Sequence, residues 1–193
     1  AGVSLLAGGD IHYPSGRVYY GDILAGGSTA GIGLPVLNGL SPNQSVHASA
    51  PLPFSFPSEQ ATLLATSTRL AALPANGTVS WQWGGLYLSG DCSSPSQVFQ
   101  LDGAQVLAAH TFSVSCIPAG ATVIFNISGV DTGLTNMSLE SLAPHRQRTL
   151  YNFHEAQHLR LSSIGVQGTI LAPRAHVEQP QGVIHGSIFA RSW

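Results

Sequence analysis

The sharpest chemical pattern in the chain is His154-Glu155-Ala156-Gln157-His158, which matches the zinc-site spacing H-E-x-x-H. On a helix that spacing sets two imidazoles on one face for the metal and places the glutamate as general base. Glu178, 20 residues beyond His158, offers a third ligand, and a zinc metallopeptidase is the activity such a set would serve. The surroundings oppose it. The stretch follows Leu150-Tyr151-Asn152-Phe153 and runs into Leu159-Arg160-Leu161, an alternation that predicts strand rather than helix. Glu178 sits in Val-Glu-Gln-Pro-Gln-Gly, between two β-segments. Zinc chemistry is therefore kept only as a remote alternative, with no catalytic residue, metal ligand or cofactor assigned.

Other catalytic patterns are weaker. Sugar-cleaving β-helical enzymes need clustered carboxylates or basic groups in a groove, and nine acidic residues spread singly along the chain do not supply them. No Gly-x-Ser-x-Gly elbow and no phosphate-binding loop occurs. Trp81 and Trp83 could stack on sugars, but their alternation with Val79 reads first as packing on one strand face. Two sets of residues concern covalent modification instead. Cys92 and Cys116 are an even pair and are expected to form a disulfide, a pair of buried free thiols being the other reading. Asn43, Asn76, Asn126 and Asn136 each begin an Asn-x-Ser/Thr triplet, the acceptor pattern for N-linked glycans in a eukaryotic secretory pathway.

Composition narrows the partners. Only 8% of the 193 residues are charged, the formal net charge is -2, and lysine is absent. Ordinary soluble domains carry about 25% charged residues. Such a chain has no basic footprint for nucleic acid or an anionic membrane. It has no apolar run of membrane-spanning length, so no membrane insertion is expected. Ala1 opens directly into domain-like sequence, so any signal peptide or anchor is expected to be removed or to lie elsewhere. With little like-charge repulsion, self-association or contact with neighbouring domains of a surface assembly is expected. Glycans at Asn43, Asn76 and Asn136 would cover the sides.

The elements that must position these residues are announced by a repeat. Val166-Gln-Gly168-Thr-Ile170-Leu-Ala172 returns 18 residues later as Ile184-His-Gly186-Ser-Ile188-Phe-Ala190, and an upstream copy reads Tyr19-Tyr-Gly21-Asp-Ile23-Leu-Ala25. An 18-residue period suits one coil of a β-solenoid, with three sides of about six residues at roughly 3.3 Å each. Glycines would mark corners and inner isoleucines would stack from coil to coil. The three copies suggest that the first and last coils share one stack, with Ile23 against Ile170 or Ile188. The neighbouring Leu24, Leu171 and Phe189 would face outward, beneath a cover. One helix, about residues 58–73, offers that cover: Ser58 as N-cap, Glu59 in the first turn, and Leu63, Leu64, Ser67, Leu70 and Ala71 on one face. Strands are expected from Thr78, at 98–101, 106–109, 112–116, 123–127 and 150–153, with a short helix within 134–144.

Several of these segments together resemble the choice-of-anchor A domain. They are Leu150-Tyr-Asn152-Phe153-x-x-Ala156-x-x-Leu159, Ile164-Gly-Val-x-Gly168-x-Ile170-Leu-Ala172-Pro173-x-Ala175 and Gly182-x-Ile184-x-Gly186-Ser187-Ile188. Gly16-Arg17-Val18 to Gly27 is similar to that family's opening segment, and Val123 to Gly129 to its Asn-containing strand. The likeness covers nearly the whole chain as one domain, 1–193. It implies an all-β, right-handed, ice-binding-like β-solenoid with a flanking helix, displayed outside the cell as an adhesive or structural module without catalysis. The implied partner is a cell-surface or polysaccharide ligand, and ice binding is the alternative function. In that family His154 and Glu155 fall on variable spacer positions, and Asn126 falls on a structural asparagine.

Overall fold

The computed structural model describes residues 2–192. Contacts divide the chain into two compact units, Ala1–Glu59 and Gln60–Trp193. The smaller unit is built from β1 (Val3–Ala7), β2 (His12–Tyr13), β3 (Asp22–Ala25), β4 (Gly31–Ile32), the short α1 (Leu34–Leu37) and β5 (Val46–His47). Its strands pair in parallel, β1 with β3, β3 with β5, and β2 with β4. Ile23 is paired with Leu5 and Val46 and packs with Ile11, Ala25, Ile32 and Val36 in a core of this unit. The first repeat copy therefore pairs with β1 and β5 within its own unit, and the expected pairing of Ile23 with Ile170 or Ile188 is not found among the described strands.

α2 (Phe56–Ala71) is the principal helix. It starts two residues before the expected Ser58, because Pro57 fits the first turn, where a missing N–H costs nothing. Ser55 takes the capping role, its Oγ accepting from the Ser58 N–H at 3.5 Å. The expected face holds: Ser67 is buried, with Leu63, Leu64, Leu70 and Ala71 half-buried.

The larger unit continues with β6 (Thr78–Gln82), β7 (Gly85–Ser89), β8 (Ser96–Leu101), α3 (Gly103–Ala108), β9 (Thr111–Ser115), β10 (Thr122–Ile127) and β11 (Asp131–Thr135). A 3-10 segment, Glu140–Arg148, precedes β12 (Thr149–Phe153), β13 (His158–Gln167), β14 (Thr169–His185) and β15 (Ile188–Ser192). The expected strand at 106–109 is instead α3. Asp102 caps it, accepting from the Ala104 and Gln105 N–H groups at 2.8 and 3.0 Å, and Ala-Gln-Val-Leu-Ala is good helix-forming sequence.

Parallel pairing dominates. One ladder runs β8-β10-β12-β14-β15, and β11-β13-β14 forms another course of the same open sheet, with the long β14 serving both. The two C-terminal repeat copies stack in register: Val166 on Ile184, Ile170 on Ile188, Leu171 on Phe189 and Ala172 on Ala190. Gly168, at φ +136, and Gly186 stand at the strand junctions. A Cβ would lie 2.6 Å from the Thr149 carbonyl oxygen at Gly168 and 2.1 Å from the Gly168 oxygen at Gly186, so neither position admits a side chain.

Along the first ladder one residue of each strand points inward. Phe99, Phe125 and Tyr151 stack with ring centroids 5.3 Å apart, Ile170 and Ile188 continue the column, and Phe112 meets Phe125 edge-on. Tyr151 is fully buried, and its hydroxyl donates to the Gln167 carbonyl at 3.2 Å. The next residue of each strand faces outward, giving Gln100, Asn126, Asn152, Leu171 and Phe189. Under α2 this row is polar rather than apolar. Asn152 Nδ2 donates to the Ser67 carbonyl at 2.9 Å and to Asn126 Oδ1 at 2.8 Å, and Ser67 Oγ donates to Asn152 Oδ1 at 2.6 Å. Asn126 Nδ2 donates to the Leu70 carbonyl at 2.7 Å, and Gln100 Nε2 reaches the Ala71 and Leu73 carbonyls at 3.2 and 2.9 Å. Sheet amides thereby bond carbonyls in and just beyond the last turns of the helix, among them that of Ala71, which has no i+4 donor within it, and that of Leu70, which also accepts from the Leu73 N–H at 3.1 Å.

Candidate functional surface

The zinc-type motif is taken apart by the local backbone. Residues 154–157 form a bend between β12 and β13, so His154 and His158 do not share a helical face. Glu155 Oε2 instead accepts from the Gly129 N–H at 2.8 Å. Parallel stacking of β13 and β14 does bring Glu178 to His158, whose Nδ1 lies 2.8 Å from Oε1. Arg160 Nε stands 3.9 Å from the second carboxylate oxygen, so Glu178 is shared between cationic or hydrogen-bonding neighbours. No group of three potential ligands is assembled among the described residues. A surface depression lined by Arg146, Gln147, Thr169, His185 and Gly186 likewise includes no carboxylate for acid–base work on a glycoside.

Cys92 and Cys116 form a disulfide. Beside it Asp91 Oδ1 accepts from the Ser93 and Ser94 N–H groups at 3.0 and 2.8 Å and from Gln97 Nε2 at 2.6 Å, and Ser94 Oγ donates to Asp91 Oδ2. The Gln97 amide first, and then Ser94, hold the Asp91 carboxyl well below its ordinary range. The four sequon asparagines fall in different settings. Asn43 and Asn136 are exposed. Asn76, though exposed, has both amide hydrogens engaged, by Asp91 Oδ2 at 3.1 Å and the Ser96 carbonyl at 2.9 Å, while its Oδ1 accepts from the Val98 N–H at 2.7 Å. Asn126 is fully buried under α2.

The surface that sequence reasoning undervalued is the sheet β6-β7-β9. β6 and β7 form a hairpin closed by Trp83-Gly84, and β7 pairs in parallel with β9. Leu86, Leu88 and Phe112 are buried on its inner face. On the outer face the registers align Ser80 with Tyr87 and Ser113, and Gln82 with Gly85 and Thr111. None of the three strands contains Asp, Glu, Lys or Arg.

Trp83 is 84% exposed rather than packed on a strand face, because it occupies the turn and drops out of the alternation of Val79 and Trp81. Both turn residues have positive φ, +48 at Trp83 and +72 at Gly84, the two-residue hairpin geometry that favours Asn or Gly at its first position. A tryptophan there costs of order 1–2 kcal/mol. Its carbonyl accepts from His110 Nε2 at 2.8 Å, which fixes the proton on that nitrogen, while Nδ1 lies 3.0 Å from Thr111 Oγ1. Trp83 and Tyr87 meet edge to face, centroids 6.5 Å apart at 82°. The only sequence signal for this site was the Trp-x-Trp-Gly-Gly spacing.

A family model described as "Putative Ice-binding-like adhesive domain" matches residues 1–193. No curated protein and no solved structure matches the chain.

Proposed function

Because the chain belongs to the family of ice-binding-like adhesive domains, we propose that it is a non-enzymatic extracellular surface module, an adhesive or structural unit of a cell-surface or fibrous assembly. In this reading the parallel ladders are coils of a right-handed β-solenoid of the choice-of-anchor A kind. The observation that carries the proposal is the stacking of successive chain segments in register, Leu150 on Thr169 and then Ile170 on Ile188, under a helix held by side-chain amides. That architecture spends its length on building extended faces rather than a cleft. A disulfide suits an oxidising compartment outside the cytosol. Among the described residues no helix is long and apolar enough to cross a membrane. The expected partners are neighbouring domains or further copies of the chain, and a cell-surface or polysaccharide ligand.

Ice binding is the second reading, favoured by the hydroxyls in the three outer-face rows of β6-β7-β9, Thr78-Ser89-Ser115, Ser80-Tyr87-Ser113 and Gln82-Gly85-Thr111. It is opposed there by Tyr87, which stands in the middle row and interrupts a flat array. Binding of labelled chain to intact cells, measured beside thermal hysteresis at micromolar concentration, separates the two. Cell binding without hysteresis supports adhesion, and hysteresis without cell binding supports ice binding. Zinc-dependent peptide cleavage that disappears in Glu155→Gln would overturn both.

A further inference from the structure

We propose that the outer face of β6-β7-β9 is a binding site for a neutral polysaccharide, with Trp83 and Tyr87 as the platforms for its pyranose rings. The proposal deepens the adhesive reading and rests on it. Its starting point is the conformation of Trp83. The turn geometry asks for Asn or Gly, the side chain buries almost nothing, and the backbone is in the left-handed region. Beyond the edge contact with Tyr87 folding gains little from a tryptophan there, and an outlier held in place at a cost is the kind of feature that marks a functional site. The position is also braced, since His110 Nε2 donates to the Trp83 carbonyl and the imidazole packs where a side chain on Gly84 would stand.

The chemistry of the surroundings selects the ligand. A pyranose has an apolar face of C–H groups, which the negative face of an aromatic ring attracts, and an equator of hydroxyls that must keep hydrogen-bond partners when desolvated. Trp83 and Tyr87 supply two rings at right angles, so a sugar lying on one has its edge against the other. Ser80, Gln82, Ser113 and Thr111 border them with hydroxyl and amide groups, some held in place by bonds of their own, Gln82 Nε2 donating to Ser80 Oγ at 2.7 Å and Thr111 Oγ1 lying 3.0 Å from His110 Nδ1. The absence of formal charge on all three strands offers nothing to a uronate, a sulfate or a basic peptide. A protein partner would call for a wider dry apolar centre than two rings set among hydroxyls.

Affinity electrophoresis of the whole chain in gels containing soluble β-glucan, α-mannan, galactan or alginate tests the proposal. The wild type is expected to be retarded by at least one neutral polymer and not by alginate. Trp83→Asn suits the turn better than tryptophan, so it is expected to keep or raise the melting temperature while weakening binding about tenfold or more. Tyr87→Ala is expected to weaken it similarly, and Phe189→Ser, on β15, to leave it unchanged. Retardation by alginate in preference to the neutral polymers overturns the proposal, as does undiminished binding by folded Trp83→Asn. Loss of a dimer in that variant, with no retardation of the wild type, would assign the face to a second copy and also overturn it. If no neutral polymer retards a wild-type chain that still binds cells, the glycan site is wrong and the adhesive reading survives. If cell binding is absent as well, both fall.

Discussion

Truncating Asn152 to alanine should be among the most damaging substitutions in the protein that touch no apolar side chain. Asn152 is fully buried and links three groups: the Ser67 hydroxyl donates to it, and it donates to the Ser67 carbonyl and to Asn126 Oδ1. Asn152→Ala strands the hydroxyl and the Asn126 oxygen beneath α2. Each stranded buried group costs about 1–3 kcal/mol, and the small cavity adds to this. The expected loss is about 3–5 kcal/mol, a large share of the roughly 5–15 kcal/mol that holds a typical domain folded. Ser67→Ala alone should cost about 1–2 kcal/mol, through the lost bond to Asn152 Oδ1. The double variant should cost less than the sum by about 1 kcal/mol or more, since removing the hydroxyl removes one of the stranded groups. Denaturant unfolding followed at 222 nm reports on α2 and gives all three values. A loss below about 1 kcal/mol for Asn152→Ala, or additivity within about 0.5 kcal/mol, would refute the idea that a polar row docks the helix.

Reduction of the Cys92–Cys116 bridge, which spans a sequence separation of 24, should lower stability by about 3.5 kcal/mol by freeing the unfolded chain; alkylation without reductant should leave the mass unchanged, and labelling of both thiols would contradict this. Expression through a eukaryotic secretory pathway should place N-glycans on Asn43 and Asn136 but leave Asn126 bare and Asn76 largely so, because their amides are bonded within the fold. Peptide mapping after enzymatic deglycosylation reads the occupancy, and a filled Asn126 in folded protein would contradict the docking of α2. Burial pushes the Tyr151 phenol above its ordinary value. The folded state then holds a proton that the unfolded chain releases above about pH 10. Stability should therefore be insensitive to this group below that pH and fall as pH rises beyond it, and Tyr151→Phe should flatten the high-pH limb at a cost of about 1 kcal/mol at neutral pH.

Much of this architecture was legible because its causes are periodic. The 18-residue repeat places like residues one above another, and Ile170 on Ile188 follows directly from Val166-Gln-Gly168 answering Ile184-His-Gly186. The apolar stripe of α2 was equally readable from three-to-four spacing. What escaped was fixed by single residues rather than by period. Val106 to Ala109 looked like a strand until Asp102 is seen as the cap that turns the chain into α3. The zinc pattern depended on a helix that the strand-forming residues on both sides prevent. Asn126 and Asn152 could be read as strand positions, but their side-chain pairing with Ser67 and Leu70 joins residues more than 50 apart in sequence. Trp83 was misplaced onto a strand face because tryptophan is a poor signal for a left-handed turn.

The central claim, that the folded chain adheres without catalysing a reaction, is tested most directly by retention under flow. Beads carrying the chain at defined density are allowed to settle on cells of the source organism, and the shear needed to detach half of them is measured with and without a zinc chelator. Adhesion predicts detachment at a shear well above that of bare beads, unchanged by the chelator and abolished when the chain on the beads is unfolded. Detachment at the shear of bare beads, or retention that the chelator removes, would contradict it.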